Sequence, residues 1–208
     1  MNKDWTGNSR SYASTLGARN FALENREVHD YYATDPKSLE ILLERLKKDN
    51  IELNKNIWEC SCGEGHLSIV LKNHGYITIN TDLIDRGFNI NFKQLDFLKT
   101  NEVFEGDILT NPPYKYAKEF VEHSMELLKN GNKCIMFLKL QFLEGKARKI
   151  LFEKYPPKYI YVFSERQRCA MNGNFSKYSN SGNTHGAVAY CWYIWEKGFN
   201  GEPIIRWL

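Results

Sequence analysis

Asn111-Pro112-Pro113-Tyr114 puts an amide, two cyclic residues and an aromatic ring into four consecutive positions. Proline removes a backbone donor and fixes φ near about −65°. It also pushes the residue before it toward extended conformations. The turn is therefore stiff, and it is richer in acceptors than in donors. That combination suits one kind of target, an exocyclic amine on an aromatic base. Such an amine is a poor nucleophile because its lone pair is delocalised into the ring. Two acceptors aimed at its hydrogens draw the nitrogen toward tetrahedral geometry and localise the lone pair. The Asn111 side-chain oxygen and the Pro112 carbonyl are the natural pair, with Pro113 keeping the turn rigid. Tyr114 offers a ring for the base to stack on, worth ~1–3 kcal/mol per base. Catalysis of this kind is positioning and electrostatics and needs no strong base. Taken alone, the four residues also fit a plain turn between a strand and a helix.

Upstream lies a second constellation. Ile57-Trp58-Glu59-Cys60 is a short, largely apolar run, and Ser61-Cys62-Gly63-Glu64-Gly65 follows it. Strand, glycine turn, helix, strand, acid is the layout of an adenosine-binding half-sheet, in which the acid accepts from a ribose hydroxyl. Asp82 stands at that place, after Tyr76 to Thr81. The loop is not G-x-G-x-x-G, and its acids matter. Glu59 and Glu64 would repel a pyrophosphate but suit a sulfonium or ammonium, which favours S-adenosylmethionine over NAD or ATP. Asp96 could accept from an adenine amino group, with Phe97 packed on the ring. An ordinary turn, a capping acid at Asp82 and simple core packing of Phe97 are the competing readings of these residues one by one.

The elements that must position these groups are legible as periodicities. Asp35-Pro36 reads as a helix cap followed by proline at the first helical position. Leu39, Leu42, Leu43 and Leu46 form the stripe of an amphipathic helix over about Pro36 to Lys48. His66 to Asn73 reads as a second helix. A third carries Ala117, Phe120, Val121, Ser124 and Leu128 on one face and stops at Asn130-Gly131. Lys146 to Lys154 reads as a fourth. Strands are expected at Tyr76 to Thr81, Phe92 to Leu95, Asp107 to Thr110, Cys134 to Leu138, Tyr159 to Phe163 and Ala187 to Trp195. The unbroken apolar run at Cys134 suits a strand buried on both faces of a parallel sheet. The alternation of strand and helix predicts an α/β sheet with right-handed crossovers.

Composition sets the frame. The 208 residues fit one domain, and 42% hydrophobic with 14% aromatic residues excludes a disordered chain. No apolar run approaches the ~20 residues of a membrane helix. The start lacks the apolar core of a signal peptide, so a cytoplasmic location is expected. Five cysteines without C-x-x-C pairing point to reduced, buried thiols, and no metal is expected. A net charge of +3 is compatible with a polyanionic partner without requiring one.

The chain resembles the amino-group DNA methyltransferases of the adenine-N6 type. Asn111 to Tyr114 matches their catalytic motif. Glu59 to Gly65 resembles their cofactor loop, E-P-x-x-G-x-G, with Cys60 in place of the usual proline. Tyr32-Ala33-Thr34-Asp35-Pro36 resembles the element that touches the methionine end of the cofactor. The order of these segments matches one arrangement class of the family. The resemblance extends to small phage and prophage enzymes, including the stretches Trp195 to Gly198 and Pro203 to Trp207.

The resemblance implies a Rossmann-like, S-adenosylmethionine-dependent methyltransferase fold. That fold is a seven-stranded, mostly parallel sheet with an antiparallel last strand at Ala187 to Trp195 and helices on both faces. It implies catalytic roles for Asn111, Pro112, Pro113 and Tyr114. It implies cofactor contacts from Tyr32, Thr34, Glu59, Cys60, Ser61, Cys62, Gly63, Gly65, Leu67, Asp82, Leu83, Asp96, Phe97 and Asn111. Residues 1–30 would be an arm ahead of a single domain at 31–208.

An adenine inside a duplex is out of reach of such a turn, so it must be flipped out or single-stranded. The chain has no room for a large recognition domain. Only the arm and the polar stretch 165–186 are expected to hold DNA, with Arg166, Arg168, Phe175, Lys177 and Tyr178 as contacts and a short or weak sequence preference. Alternatives are adenine in RNA, cytosine N4, a protein glutamine amide, or a binding module with an inactive methyltransferase fold. Oligomeric state is left open.

Overall fold

The computed structural model describes residues 32–167, 169–171 and 188–208. Its centre is an eight-stranded sheet. In chain order the elements are β1 (Tyr32–Thr34), α1 (Pro36–Lys48), β2 (Asn56–Glu59), α2 (His66–Asn73), β3 (Ile77–Asp82), β4 (Phe92–Gln94), β5 (Asp107–Thr110) and α3 (Ala117–Leu127). There follow β6 (Lys133–Lys139), α4 (Lys146–Lys154), β7 (Tyr159–Val162), β8 (Cys169–Met171), β9 (Tyr190–Glu196) and β10 (Ile204–Trp207). The sheet runs β10-β7-β9-β6-β5-β2-β3-β4. Every pairing in it is parallel except those of β9, which runs antiparallel between β6 and β7.

Sequence explains the layering. The Asp35 carboxylate accepts from the Lys37 N–H at 3.0 Å, and Pro36 opens α1. Leu39, Leu42, Leu43 and Leu46 are all buried, so the predicted stripe faces the sheet. Along β6, Ile135 and Phe137 enter the core under α1 and α2, together with Ile57, Leu71 and Trp192. Cys134, Met136 and Leu138 enter the opposite core with Trp58, Val121, Met125 and Trp195. The period of two along a strand buried on both faces is what a parallel sheet needs. Helices thus cover both faces.

The expected methyltransferase-type sheet is present, with one strand more. The strand expected at Ala187 to Trp195 forms as Tyr190–Glu196 and is antiparallel, but it is neither last in the chain nor at the edge. β10 follows it and extends the sheet beyond β7. That edge is tied to α1. Asp49, just past the end of α1, accepts from Arg45 (3.0 Å), Arg206 (2.5 Å) and Tyr161 (2.6 Å). Burial raises the Asp49 pKa, but these three donors outweigh it and hold the carboxyl below its ordinary value.

Two further features were not expected. β1 and β8 pair antiparallel as a small separate sheet, so part of the polar stretch at 165–186 is a strand. And no helix crosses between β3 and β4, which leaves Ile77 and Ile79 half exposed.

Candidate active site at the switch point of the sheet

From β2 the chain builds outward through β3 and β4, then returns to place β5 and β6 on the other side. The strand order therefore reverses between β2 and β5. Open α/β sheets bind ligands in the crevice outside the carboxyl ends of the strands at such a point. The glycine loop leaves β2 there and Asn111 leaves β5 there. A single cavity of about 420 Å³ joins them, within the usual range for a small-ligand site.

The loop is held by β3. Cys62 N–H donates to the Thr81 carbonyl at 3.0 Å. Gly63 N–H donates to Asp82 Oδ2 at 2.8 Å, and the other Asp82 oxygen accepts from Ile84 N–H at 3.0 Å. Asp82 thus clamps both loops while lining the cavity. Gly65 caps α2 with φ +77°, a left-handed conformation that favours glycine. A Cβ there would lie 2.2 Å from the Phe88 ring. Phe88 is buried against the loop.

Glu59 is buried at the base of the loop and touches the Ser68 hydroxyl. Ser68 Oγ also lies 2.5 Å from Asn80 Oδ1, and Asn80 Nδ2 donates to the Ile90 carbonyl at 2.7 Å. That last bond fixes the amide orientation, so Asn80 Oδ1 is an acceptor. Ser68 has one hydrogen for two oxygens. A proton on Glu59 resolves the shortage: the carboxyl donates to Ser68, which donates to Asn80. The electrostatics agree, since burial first of all, with Asp82 adding, pushes Glu59 up to about 8 against the pull of Ser68.

This has a testable sign. Glu59 is raised in the fold, so its contribution to stability is full below its unfolded value near pH 4.5. It is lost as pH rises toward about 8, and it levels off above. One pKa unit is about 1.4 kcal/mol, so the loss is roughly 2–5 kcal/mol across the window. Glu59→Gln flattens that slope in denaturant titrations at several pH values. Parallel profiles for the two proteins would remove Glu59 as its source.

The Asn111-to-Tyr114 turn follows β5 directly. Tyr114–Tyr116 form a single 3₁₀ turn, and the Tyr116 N–H donates to the Pro113 carbonyl at 2.8 Å. Among the described residues no hydrogen bond reaches the Pro112 carbonyl. Tyr114 packs near Tyr190, ring centroids 6.1 Å apart, and Lys139 Nζ lies 5.0 Å from the centre of the Tyr114 ring.

Asp96 caps the 3₁₀ turn Phe97–Lys99 through Leu98 N–H at 3.2 Å and pairs with Lys99 at 3.0 Å. Phe97 is only 2% exposed. It meets Trp58 edge-on at 5.2 Å and Phe120 at 5.0 Å, so it is a core residue that also forms cavity wall. Thr34 is buried on β1, and its hydroxyl, at the cavity, has no hydrogen-bond partner among the described residues.

The cavity is lined by Thr34, Glu59, Cys60, Ser61, Cys62, Leu67, Asp82, Leu83, Asp96, Phe97 and Asn111 to Tyr114. These are nearly all the residues singled out from sequence for catalysis and for the cofactor. Gly63 and Gly65 shape the loop without lining it, and the side chain of Tyr32 is not described. Lining residues that the sequence reading missed are His66, Arg86, Lys115 and Tyr116, among others. His66 is held below its usual pKa by burial, against Glu64 and Asp35. It carried a signal, being the first residue of the helix after the glycines. Arg86 carried none, since it lies in a loop without periodicity.

Of the expected nucleic-acid contacts, Arg166 is exposed and does not line this cavity. Arg168, Phe175, Lys177 and Tyr178 lie outside the described residues, as does the arm. The strand within the polar stretch and the strand that follows it border the site, however. β8 pairs with β1, whose Ala33 and Thr34 line the cavity, and β9 begins at Tyr190 beside Tyr114.

Cys60, Cys62, Cys134 and Cys191 are free and buried. Burial raises each thiol, Cys134 and Cys191 to about 12, so these sulfurs stay protonated. Among the described residues no group of His, Cys, Asp and Glu could hold a metal ion, and no helix is long and apolar enough to cross a membrane.

The fold is that of the class I S-adenosylmethionine-dependent methyltransferases. A Listeria monocytogenes protein assigned to that class superposes with a TM-score of 0.57 at 15% identity, covering 87% of this chain and 66% of its own. This chain therefore spans about two thirds of that protein. A Pyrococcus horikoshii protein assigned as an RNA methyltransferase gives 0.56 at 12% identity, over 91% of this chain and 100% of its own. The magnesium protoporphyrin IX methyltransferase of Synechocystis, solved with bound S-adenosylmethionine, gives 0.52 at 12%, over 78% and 79%. No protein-family model and no curated protein matches the sequence.

Proposed function

We propose that the protein is a methyltransferase acting on a planar exocyclic amine, with S-adenosylmethionine as donor and adenine N6 in DNA as acceptor. The observation that carries the reading is the single cavity that joins the glycine loop, Asp82 and the Asn111 turn. The residues present fit the donor. Asp82 keeps lone pairs for ribose hydroxyls beyond its two backbone bonds. Asp96 and Phe97 line the same cavity and are the residues assigned here to the adenine. Glu59 and the unpartnered Thr34 hydroxyl provide polar partners at the base of the site. Tyr32, Cys60, Ser61, Cys62, Leu67 and Leu83 complete the set proposed to hold it, with Gly63 and Gly65 giving the backbone its close approach.

When bound, the cofactor supplies an electrophilic methyl group whose carbon–sulfur bond breaks with the electron pair staying on sulfur as the new carbon–nitrogen bond forms. The chain's own part is to position. Asn111 and the Pro112 carbonyl accept from the amine hydrogens, and Pro113 fixes the turn by engaging Tyr116. Tyr114 stacks on the base. No side chain is needed as a strong base, because the amine loses its proton to solvent after transfer.

The test supplies labelled methyl donor with duplex DNA, single-stranded DNA and RNA, and reads digested nucleosides by mass spectrometry. N6-methyladenine in DNA is the expected product. Methyladenine in RNA alone would move the acceptor, and methylation of protein glutamine would replace the base altogether. Cofactor binding without transfer to any acceptor would leave a binding module.

A further inference from the structure

A second void of about 210 Å³ shares Tyr114 with the first. It is lined by Tyr114, Ala117, Leu138, Lys139, Gln141, Phe142 and Arg148. Two cations line it and no acid does. Lys139 Nζ sits over the Tyr114 ring, and the Arg148 guanidinium sits over Phe142 at 5.4 Å. Neither cation forms an ion pair with a described carboxylate. Gly145 makes room for Arg148, since a Cβ there would come within 3.0 Å of its Nη2.

We propose that this pocket is the subsite for the phosphodiester strand next to the target base, a reading that rests on the amine-methylating function above. Tyr114 is the shared wall. A base stacked on its cavity side has a sugar and phosphates that must leave past that ring. The surface they meet there combines cations with aromatic faces. Charged heads hold phosphate without reading sequence, and the buried Phe142 ring seats the Arg148 guanidinium beside that path. Gln141 adds a neutral donor. The two cations lie on β6 and α4, whereas the sequence alone assigned nucleic-acid contact to the arm and to residues 165–186. Backbone contacts of this kind bind strands of many sequences, which accords with a small enzyme of weak sequence preference.

The test measures binding of a short fluorescent single-stranded DNA, and an RNA of the same sequence, to the full chain by anisotropy across a salt series. Lys139→Gln with Arg148→Gln weakens binding about 10-fold or more. It also makes the log K against log salt slope shallower by roughly 1.4, at about 0.7 per phosphate lost from a single strand. The control is Lys47→Gln with Lys48→Gln, two exposed cations at the far end of α1, which leaves both quantities nearly unchanged. Equal losses in the two pairs, or no loss in the first, overturn the subsite. Each single variant is run as well, so that one misfolded double variant does not decide the matter. Loss with DNA or with RNA identifies the polymer. Binding that depends on Lys139 and Arg148 without any methylated nucleoside keeps the subsite and removes the amine reading. Methylation that is indifferent to both residues does the reverse.

Discussion

Asn111→Ala lowers single-turnover methyl transfer by about 10²–10³-fold while changing cofactor affinity less than about tenfold, the loss typical of removing one preorganised polar contact to the reacting group. Two acceptors are proposed to shape the amine, and alanine leaves one. Because both hold the nitrogen only as its lone pair localises, the loss falls on the chemical step. Asn111→Asp keeps an acceptor oxygen and should recover part of the rate, which separates the role of the oxygen from that of mere bulk. Cofactor binding is followed by calorimetry and transfer by the labelled methyl. A tenfold or smaller effect on transfer, with cofactor binding intact, would remove the side chain from the reaction.

The second large effect is expected at Gly65. Its φ of +77° lies in the left-handed region, and a Cβ would overlap the Phe88 ring at 2.2 Å. A non-glycine residue there carries about 1–3 kcal/mol of backbone strain, and forced overpacking adds typically ~1–3 kcal/mol. Gly65→Ala is therefore expected to destabilise by about 2–5 kcal/mol, which for a chain of this size is a fall in melting temperature on the order of 10 °C. Cofactor affinity should fall with it, because the same residue caps α2 and sets the loop. Phe88→Ala supplies the control. In the double variant the overlap disappears and only the backbone strain remains, so the two substitutions are less than additive. Strict additivity in denaturant melts would show that the ring is not what an added Cβ meets.

How much of this was written in the sequence varies with how local each signal is. α1, α2 and α4 were readable to their ends because cap, stripe and stop lie within each segment: Asp35-Pro36 with its leucines, and Gly65 before His66. The strands at Asp107 and Cys134 were readable as runs. The cavity itself was legible through spacing, since the glycine loop, Asp82 and Asn111 each follow a strand that the doubly wound order brings to one edge. What escaped depends on contacts distant in sequence. β1 and β8 are three residues each, too short for a period, and exist only because they pair with one another. β10 is an edge strand whose Ile204 and Trp207 stay exposed, so no alternation marks it. Nothing in the sequence singled out Lys139 and Arg148, which β6 and α4 bring to a pocket shared with Tyr114.

The placement of β9 between β6 and β7 also bears on how the chain comes to its final shape. β9 is one of the last segments in sequence and one of the most central in space, with Trp192, Tyr193, Ile194 and Trp195 fully buried. Until it arrives, β6 and β7 each present an open, apolar edge, the exposed kind of intermediate from which aggregation starts. A chain growing from its N-terminus can assemble the half-sheet from β2 to β6 early, but it closes the core only once β9 has been made. Pairings so distant in sequence place the protein among the slower folders for its length. The aromatic strand that completes the core therefore also sets the latest moment at which the chain is vulnerable.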